Sequence, residues 1–127
     1  MKKSRLIIIS AAAILVFIGA LAYGQTKDIS DQEFQQEVLS SPSPVMVEFW
    51  SPKCPHCLKM AKEVSTLSKE LAGRVKVAKI NVLENDRMAN KYGVQVVPTF
   101  LLFRNGKVKA QAVGEMDGKK LKKELGI

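Results

Sequence analysis

The longest apolar run of the chain lies at its amino terminus. Residues 6–23 carry no charge, and three basic residues precede them within the first five positions. Basic residues ahead of an apolar segment direct export and keep the amino end in the cytoplasm. The run is longer than the usual core of a cleaved signal peptide and long enough to span a bilayer, although positions 20–22 offer a cleavage pattern. We expect residues 1–23 to be a signal anchor, with a cleaved signal peptide as the alternative.

Beyond residue 23 the spacing of apolar positions switches between helical and strand-like periods. The polar stretch 24–30 predicts a linker, and Ser30 with Glu33 forms a capping box that begins a helix. Later apolar runs predict buried strands and helices at 45–50 (strand), 54–72 (helix), 75–82 (strand), 86–92 (helix), 99–113 (a hairpin turning at Asn105-Gly106) and 117–125 (helix). This order predicts one α/β domain with a mixed sheet across residues 31–127.

Composition and charge narrow the function classes. Apolar residues make up 46% of the chain and charged residues 25%, as in ordinary globular proteins. The formal charge is +8, but the residues after position 22 hold 17 basic against 12 acidic side chains, or +5. No aromatic residues interleave with the lysines, so these predict a solvated face rather than nucleic-acid binding. We expect a monomer.

The two cysteines of the chain, Cys54 and Cys57, lie two residues apart at the start of a predicted helix. A disulfide between them closes too small a loop to be a useful staple. Zinc needs three or four ligands, and the single histidine, His56, cannot complete the set. Two thiolates can hold copper(I), so a copper carrier stays open as an alternative. A dithiol at a helix amino terminus favours the thiolate of its first cysteine, which indicates redox chemistry.

Several segments around this pair occur in the order and spacing of a known protein family. The sequences FWSPKCPHC, VAKINV, KYGVQVVPTFLLFRNGKV and Val113-Gly114 resemble the thioredoxin family, over roughly residues 29–127. The resemblance implies the thioredoxin fold, a central mixed β-sheet flanked by helices, preceded here by one apolar amino-terminal helix. It implies no metal and no cofactor besides a redox-active Cys54–Cys57 disulfide. Cys57 and Pro98 are 41 positions apart (98 minus 57), which leaves no room for the helical insertion of large periplasmic oxidants.

The resemblance also implies roles for residues at the dithiol. Cys54 matches the exposed nucleophile, and Cys57 matches the buried thiol that resolves the mixed disulfide. Pro98 matches a cis-proline facing both cysteines, although taken alone a cis bond is uncommon before proline. With Pro98 cis, the Val97 backbone would pair with an extended substrate peptide.

Four further positions match the family less specifically. Trp50 and Gly114 would contribute apolar surface around the proline, although Trp50 could equally be a core aromatic. Glu48 matches a buried acid that relays a proton to and from the second cysteine. Lys79 matches a lysine near that acid. Without the resemblance, Glu48 and Lys79 would be strand residues facing water.

The chain departs from the family pattern beside the cysteines. Pro55-His56 replaces the usual glycine-proline, as in strong periplasmic oxidants. Lys53 replaces an aromatic residue, and Lys62 replaces a proline that kinks the helix. His56, Lys53 and Lys79 are therefore candidate residues for tuning the thiols, if they face them. Stabilising the reduced thiolate makes the disulfide a better oxidant.

The sequence thus predicts a protein thiol–disulfide oxidoreductase acting on exported proteins, in the periplasm or at the outer face of the plasma membrane. The Cys-Pro-His-Cys motif favours an oxidant, and the compact domain favours the alternative, an anchored reductase for apocytochrome or other exported thiols. Either needs a membrane redox partner. A peptide-binding module with incidental thiols is a further alternative.

Overall fold

Five strands form one mixed sheet, whose bounds are β1 (Thr26–Asp28), β2 (Val45–Trp50), β3 (Lys76–Asn81), β4 (Thr99–Arg104) and β5 (Lys107–Val113). Their spatial order is β1-β3-β2-β4-β5. Strand β3 pairs in parallel with both β1 and β2, whereas β4 pairs antiparallel with both β2 and β5. The structure, a computed structural model, describes residues 24–127, so the predicted anchor at 1–23 lies outside the described residues. Within 24–127 no helix is both long and apolar enough to cross a membrane.

The helices confirm the predicted elements with small shifts at their ends: α1 (Pro55–Glu70), α2 (Arg87–Lys91) and α3 (Gly118–Leu125). The first predicted helix is instead a π-helix, Gln35–Leu39, because the Ser40 N–H bonds the carbonyl five residues back. The capping box forms as predicted, since the Ser30 N–H donates to Glu33 Oε2 at 2.8 Å. The hairpin also forms, with positive φ angles at Asn105 and Gly106.

The sheet buries both faces, which explains the uninterrupted apolar run of β2. Val45, Val47 and Phe49 pack toward the π-helix and α2, in one core cluster. Met46 faces the opposite side and packs beneath α1 and α3, in a second cluster. Because side chains alternate along a strand, Glu48 points to the α1 side with Met46. The fold therefore directs one carboxylate toward the helix that carries the dithiol.

The prediction of a linker at 24–30 is wrong for the middle of that stretch. Residues Thr26–Asp28 form β1, which pairs in parallel with β3 along its whole length. Sequence periodicity missed this edge strand because its side chains are polar and mostly exposed. Just before it, the Gly24 carbonyl accepts a hydrogen bond from Ser68 Oγ near the carboxyl end of α1, at 3.4 Å. Residues 24–28 thus belong to the folded domain.

Candidate active site

The dithiol lies at the amino end of α1, as the sequence predicted. Cys54 is the N-cap residue, and its Sγ accepts a hydrogen bond from the Cys57 N–H at 3.1 Å. Pro55 follows at the first helical position, where a missing N–H costs nothing. Cys54 is partly exposed, whereas Cys57 is only 2% exposed. The Cys54 thiol is therefore accessible to a substrate, and the Cys57 thiol is buried.

The Val97–Pro98 peptide bond is cis, which confirms the prediction. The Cys54 thiol donates to the Val97 carbonyl at 3.6 Å, although the two residues are 43 positions apart. Gly114 completes this corner, because its N–H donates to the Pro98 carbonyl at 2.9 Å. Three of the predicted substrate-binding residues therefore meet beside the nucleophile.

A groove of about 700 Å³ opens from this corner. One wall is the first two turns of α1, from His56 to Glu63, and the other is the loop 114–117 after β5. Val97 and Pro98 also line it, and the Val97 carbonyl is the one that the Cys54 thiol contacts. This volume accommodates several side chains of an extended peptide.

Trp50 does not line this groove with the other predicted substrate-binding residues. It borders a separate cleft with Asp28 and Asn81, on the far side of β2 from β4. The Lys79 Nζ lies over its indole ring, 4.3 Å from the centroid. This geometry is a cation–π contact that orients the lysine. The substrate role predicted for Trp50 stays a prediction that this placement does not support.

Glu48 is the buried acid of the site. It is 1% exposed, and within residues 24–127 no group donates a hydrogen bond to its Oε2. Burial raises the pKa of Glu48 from 4.5 to about 7, against the lowering effect of the Lys79 charge. The charge of Asp28 raises it further. Glu48 can therefore both accept and release a proton near neutral pH.

These three charged groups form one row across the sheet. Lys79 lies between Glu48 of β2 and Asp28 of β1 in the strand register. The predicted proximity of Lys79 to the acid is confirmed, since its charge acts on Glu48. Asp28 was missed by sequence reasoning, because it fell in the stretch interpreted as a linker.

The Cys57 thiol holds its proton tightly. Burial, followed by the hydrogen bond with Cys54, raises the pKa of Cys57 from 9.0 to about 12, against a lowering backbone hydrogen bond from Ser51. The charge of Glu48 is a further raising cause, so the acid and this thiol act on each other. At neutral pH Cys57 needs a base to become a nucleophile.

The histidine between the cysteines has a partner that the sequence did not indicate. His56 Nδ1 lies 2.6 Å from Oε2 of Glu115, which is 59 positions away on the loop after β5. This hydrogen bond lowers the pKa of Glu115. Lys53 donates its backbone N–H to Ser51 Oγ at 3.1 Å. The tuning roles of His56 and Lys53 stay predictions.

Residue types that can bind metals are present between positions 24 and 127 but are not clustered. Between positions 24 and 127 no group of three or more His, Cys, Asp or Glu side chains is arranged to hold a metal ion. Thiol–disulfide exchange needs no such group, because the two sulfurs themselves carry the electrons.

An accessible thiol at a helix N-cap, a buried second thiol and a facing cis-proline define a thiol–disulfide oxidoreductase. The family profile described as Thioredoxin matches residues 25–126. This chain belongs to the thioredoxin family. It is therefore an enzyme that exchanges thiols and disulfides with substrate proteins and uses no cofactor besides its dithiol.

Individual relatives agree with the family profile. The chain is 40% identical over 87 residues to a thioredoxin of Rickettsia felis, covering 68% of this chain and 83% of that protein. It is 39% identical over 89 residues to a thioredoxin of Synechocystis, covering 70% and 83%. It is also 39% identical over 101 residues to the chloroplastic thioredoxin M4 of Arabidopsis thaliana, covering 80% and 52%.

Proposed function

We propose that this enzyme exchanges disulfides with exported proteins outside the cytoplasm, tethered to the membrane by residues 6–23. The basic first five residues and the uncharged run after them support this location. One observation supports the site chemistry above all others: the Cys54 thiol contacts the Val97 carbonyl beside an open groove, with Cys57 buried behind it.

The proposed direction is oxidising. A substrate thiolate attacks Cys54 of the enzyme disulfide, and Cys57 leaves as a thiolate that takes a proton from Glu48. A second substrate thiolate then attacks the substrate sulfur of the mixed disulfide and releases Cys54. The substrate dithiol loses two electrons to the enzyme, and a quinone-linked or similar membrane partner removes them. The Pro55-His56 pair supports this direction.

The reducing direction is the second candidate, favoured by the thioredoxin relatives and the compact domain. Here the Cys54 thiolate attacks a substrate disulfide and forms a mixed disulfide, while the leaving substrate thiolate takes up a proton. Glu48 accepts the Cys57 proton, and the Cys57 thiolate attacks Cys54. The enzyme disulfide forms, the second substrate thiolate departs, and a membrane electron donor restores the dithiol.

The reduction potential of the Cys54/Cys57 pair separates the two directions. We would equilibrate the full chain in glutathione buffers and determine the thiol state by mass. The oxidising direction predicts a value of about −120 mV, and the reducing direction a value of about −270 mV.

Trapping tests the exchange itself and the location. A Cys57→Ser chain keeps only the Cys54 thiol, which forms mixed disulfides by attacking oxidised exported proteins and cannot be released from them by Cys57, so covalent complexes should accumulate. A Cys54→Ser chain is the matched control and should trap nothing. Complexes with cytoplasmic proteins would contradict the location. A Cys57→Ser chain that traps nothing while the natural chain binds copper(I) would instead favour the copper carrier.

A further inference from the structure

We propose that Glu115 makes this enzyme select substrate segments that carry a basic residue near the reacting cysteine. This inference rests on the exchange reaction proposed above, since it concerns the groove beside the same dithiol. It adds a class of substrate, namely extended segments with a lysine or arginine close to a cysteine.

The position of Glu115 follows from a backbone contact. Its neighbour Gly114 donates its N–H to the Pro98 carbonyl, so the loop after β5 is held against the cis-proline. A substrate strand paired with Val97 would run between this loop and the first turns of α1. The carboxylate of Glu115 therefore borders the path of the substrate residues that flank the cysteine.

The groove differs in charge from the domain around it. It is lined by three carboxylates (Glu63, Glu115 and Asp117), by Lys59 and by His56. With histidine neutral this lining carries one positive against three negative charges, whereas residues 24–127 together carry +5. A cationic substrate side chain is thus favoured here although the domain as a whole is basic.

Glu115 is the carboxylate that is placed to meet such a side chain. Glu63 and Asp117 both accept backbone N–H groups at the start of α3, from Gly118 at 3.1 Å and Lys120 at 2.8 Å. Glu115 instead binds a side chain, the His56 imidazole, which is 64% exposed. A substrate arginine or lysine can take the place of that imidazole, and arginine can bind both carboxylate oxygens.

The groove also offers contacts for the aliphatic part of a basic side chain. Met116 of the loop lines it and is partly buried, whereas Met60 of α1, which lies in the same lining, is only 1% exposed. Long basic side chains lay their methylene stems on apolar surface while the charged end reaches a polar partner. Methionine adapts its shape to such stems.

Peptides with one cysteine pair test the proposal. Matched peptides carry Lys, Gln or Glu beside the cysteines, and the full chain in non-ionic detergent oxidises them, followed by mass. Oxidised peptides serve for the reverse reaction if the potential lies at the reducing end. We expect the rate ratio of the Lys to the Glu peptide to be about three to ten at low salt. It should approach one at high salt, where exposed charges are screened.

Three variants assign the preference to Glu115. Glu115→Gln should bring the ratio near one, and Glu115→Lys should invert it. Glu124→Gln should retain the wild-type ratio, because Glu124 has the same 38% side-chain exposure and also contacts a basic side chain, that of Lys120, but lies outside the groove. A ratio cancels changes in dithiol reactivity that alter all peptides equally.

The outcomes distinguish a failure of the proposed role of Glu115 from a failure of the proposed exchange function. A wild-type ratio near one, a preference for the Glu peptide, or an unchanged ratio in Glu115→Gln would overturn the role of Glu115 while exchange with the Gln peptide continues. No exchange with any peptide through Cys54 would overturn the proposed function itself, and this inference with it.

Discussion

Glu48 and Glu115 are two carboxylates in the same functional region, and the fold gives them opposite properties. Glu48 lies within a strand covered on both faces, and burial raises its pKa to about 7. Glu115 lies on an exposed loop, and its hydrogen bond with His56 lowers its pKa. The buried carboxylate can therefore carry a proton to and from Cys57, whereas the exposed one stays ionised at neutral pH. Environment assigns two roles to one chemical group.

The largest expected effect comes from removing the proton carrier. Glu48→Gln keeps the shape of the side chain but cannot accept the Cys57 proton. When the reduced chain reacts with an oxidised peptide, resolution of the mixed disulfide by Cys57 should slow about 10²-fold or more at neutral pH. Acid-quenched time courses analysed by mass should show the mixed disulfide accumulating. Glu84→Gln removes an exposed glutamate and should resolve at the natural rate; equal rates in both variants would contradict the relay.

The next effect is on stability. The pKa of Glu48 is raised on folding, from 4.5 to about 7, so the folded state binds the proton more tightly than the unfolded chain. Its contribution is complete below pH 4.5 and is lost as pH rises toward 7, by about 3 kcal/mol. Urea titrations of the reduced full chain across this range should show that loss. Glu48→Gln should abolish it, and a slope that persists in this variant would assign it to another group.

A smaller effect tests the row of charges beside Glu48. Asp28→Asn removes a negative charge that raises the pKa of Glu48. Glu48 is then the remaining carboxylate beside Lys79 in this row. The pKa of Glu48 should fall by less than about one unit. Carbon-detected NMR titration of the glutamate carboxyls measures this directly. Asp86→Asn, at the start of α2, should leave the titration where it was, and a rise in Asp28→Asn would contradict the row.

The smallest effect is expected at the exposed carboxylate. Glu115→Gln breaks a pair that is open to solvent, and such pairs add little to folding. The urea midpoint should match that of the natural chain, and so should that of Glu124→Gln. A clear drop of the urea midpoint in Glu115→Gln alone would mean that the pair with His56 stabilises the loop after β5. The main role of Glu115 would then be structural rather than substrate binding.

Most of the fold was predictable because its elements are apolar and periodic. The capping box at Ser30, the hairpin at Asn105-Gly106 and the buried run of β2 all formed as their residues indicate. Strand β1 was not predictable, because its pairing with β3 rather than its side chains makes it a strand. The π-helix was also missed, since its i→i+5 bonding has no period that the sequence displays.

The site residues also divide into those that the sequence predicts and those that it does not. Cys54, Cys57 and Pro98 carry local or family signals, and the structure brings them together. Glu115 lies 59 positions from His56, and no local pattern links the two. The substrate role of Trp50, which the family resemblance implied, stays a prediction, since Trp50 borders the cleft with Asp28 and Asn81 rather than the groove.

The hydrogen bond between Gly24 and Ser68 shows at which end of the domain the described chain begins. Ser68 lies in the last turn of α1, roughly 20 Å along the helix axis from Cys54 at 1.5 Å per residue. The chain therefore joins the domain at the pole opposite the reactive sulfurs. A tether formed by residues 6–23 would leave those sulfurs pointing outward. Under the proposed tether, a membrane partner that exchanges electrons with them would need to extend a thiol-bearing arm by a comparable height.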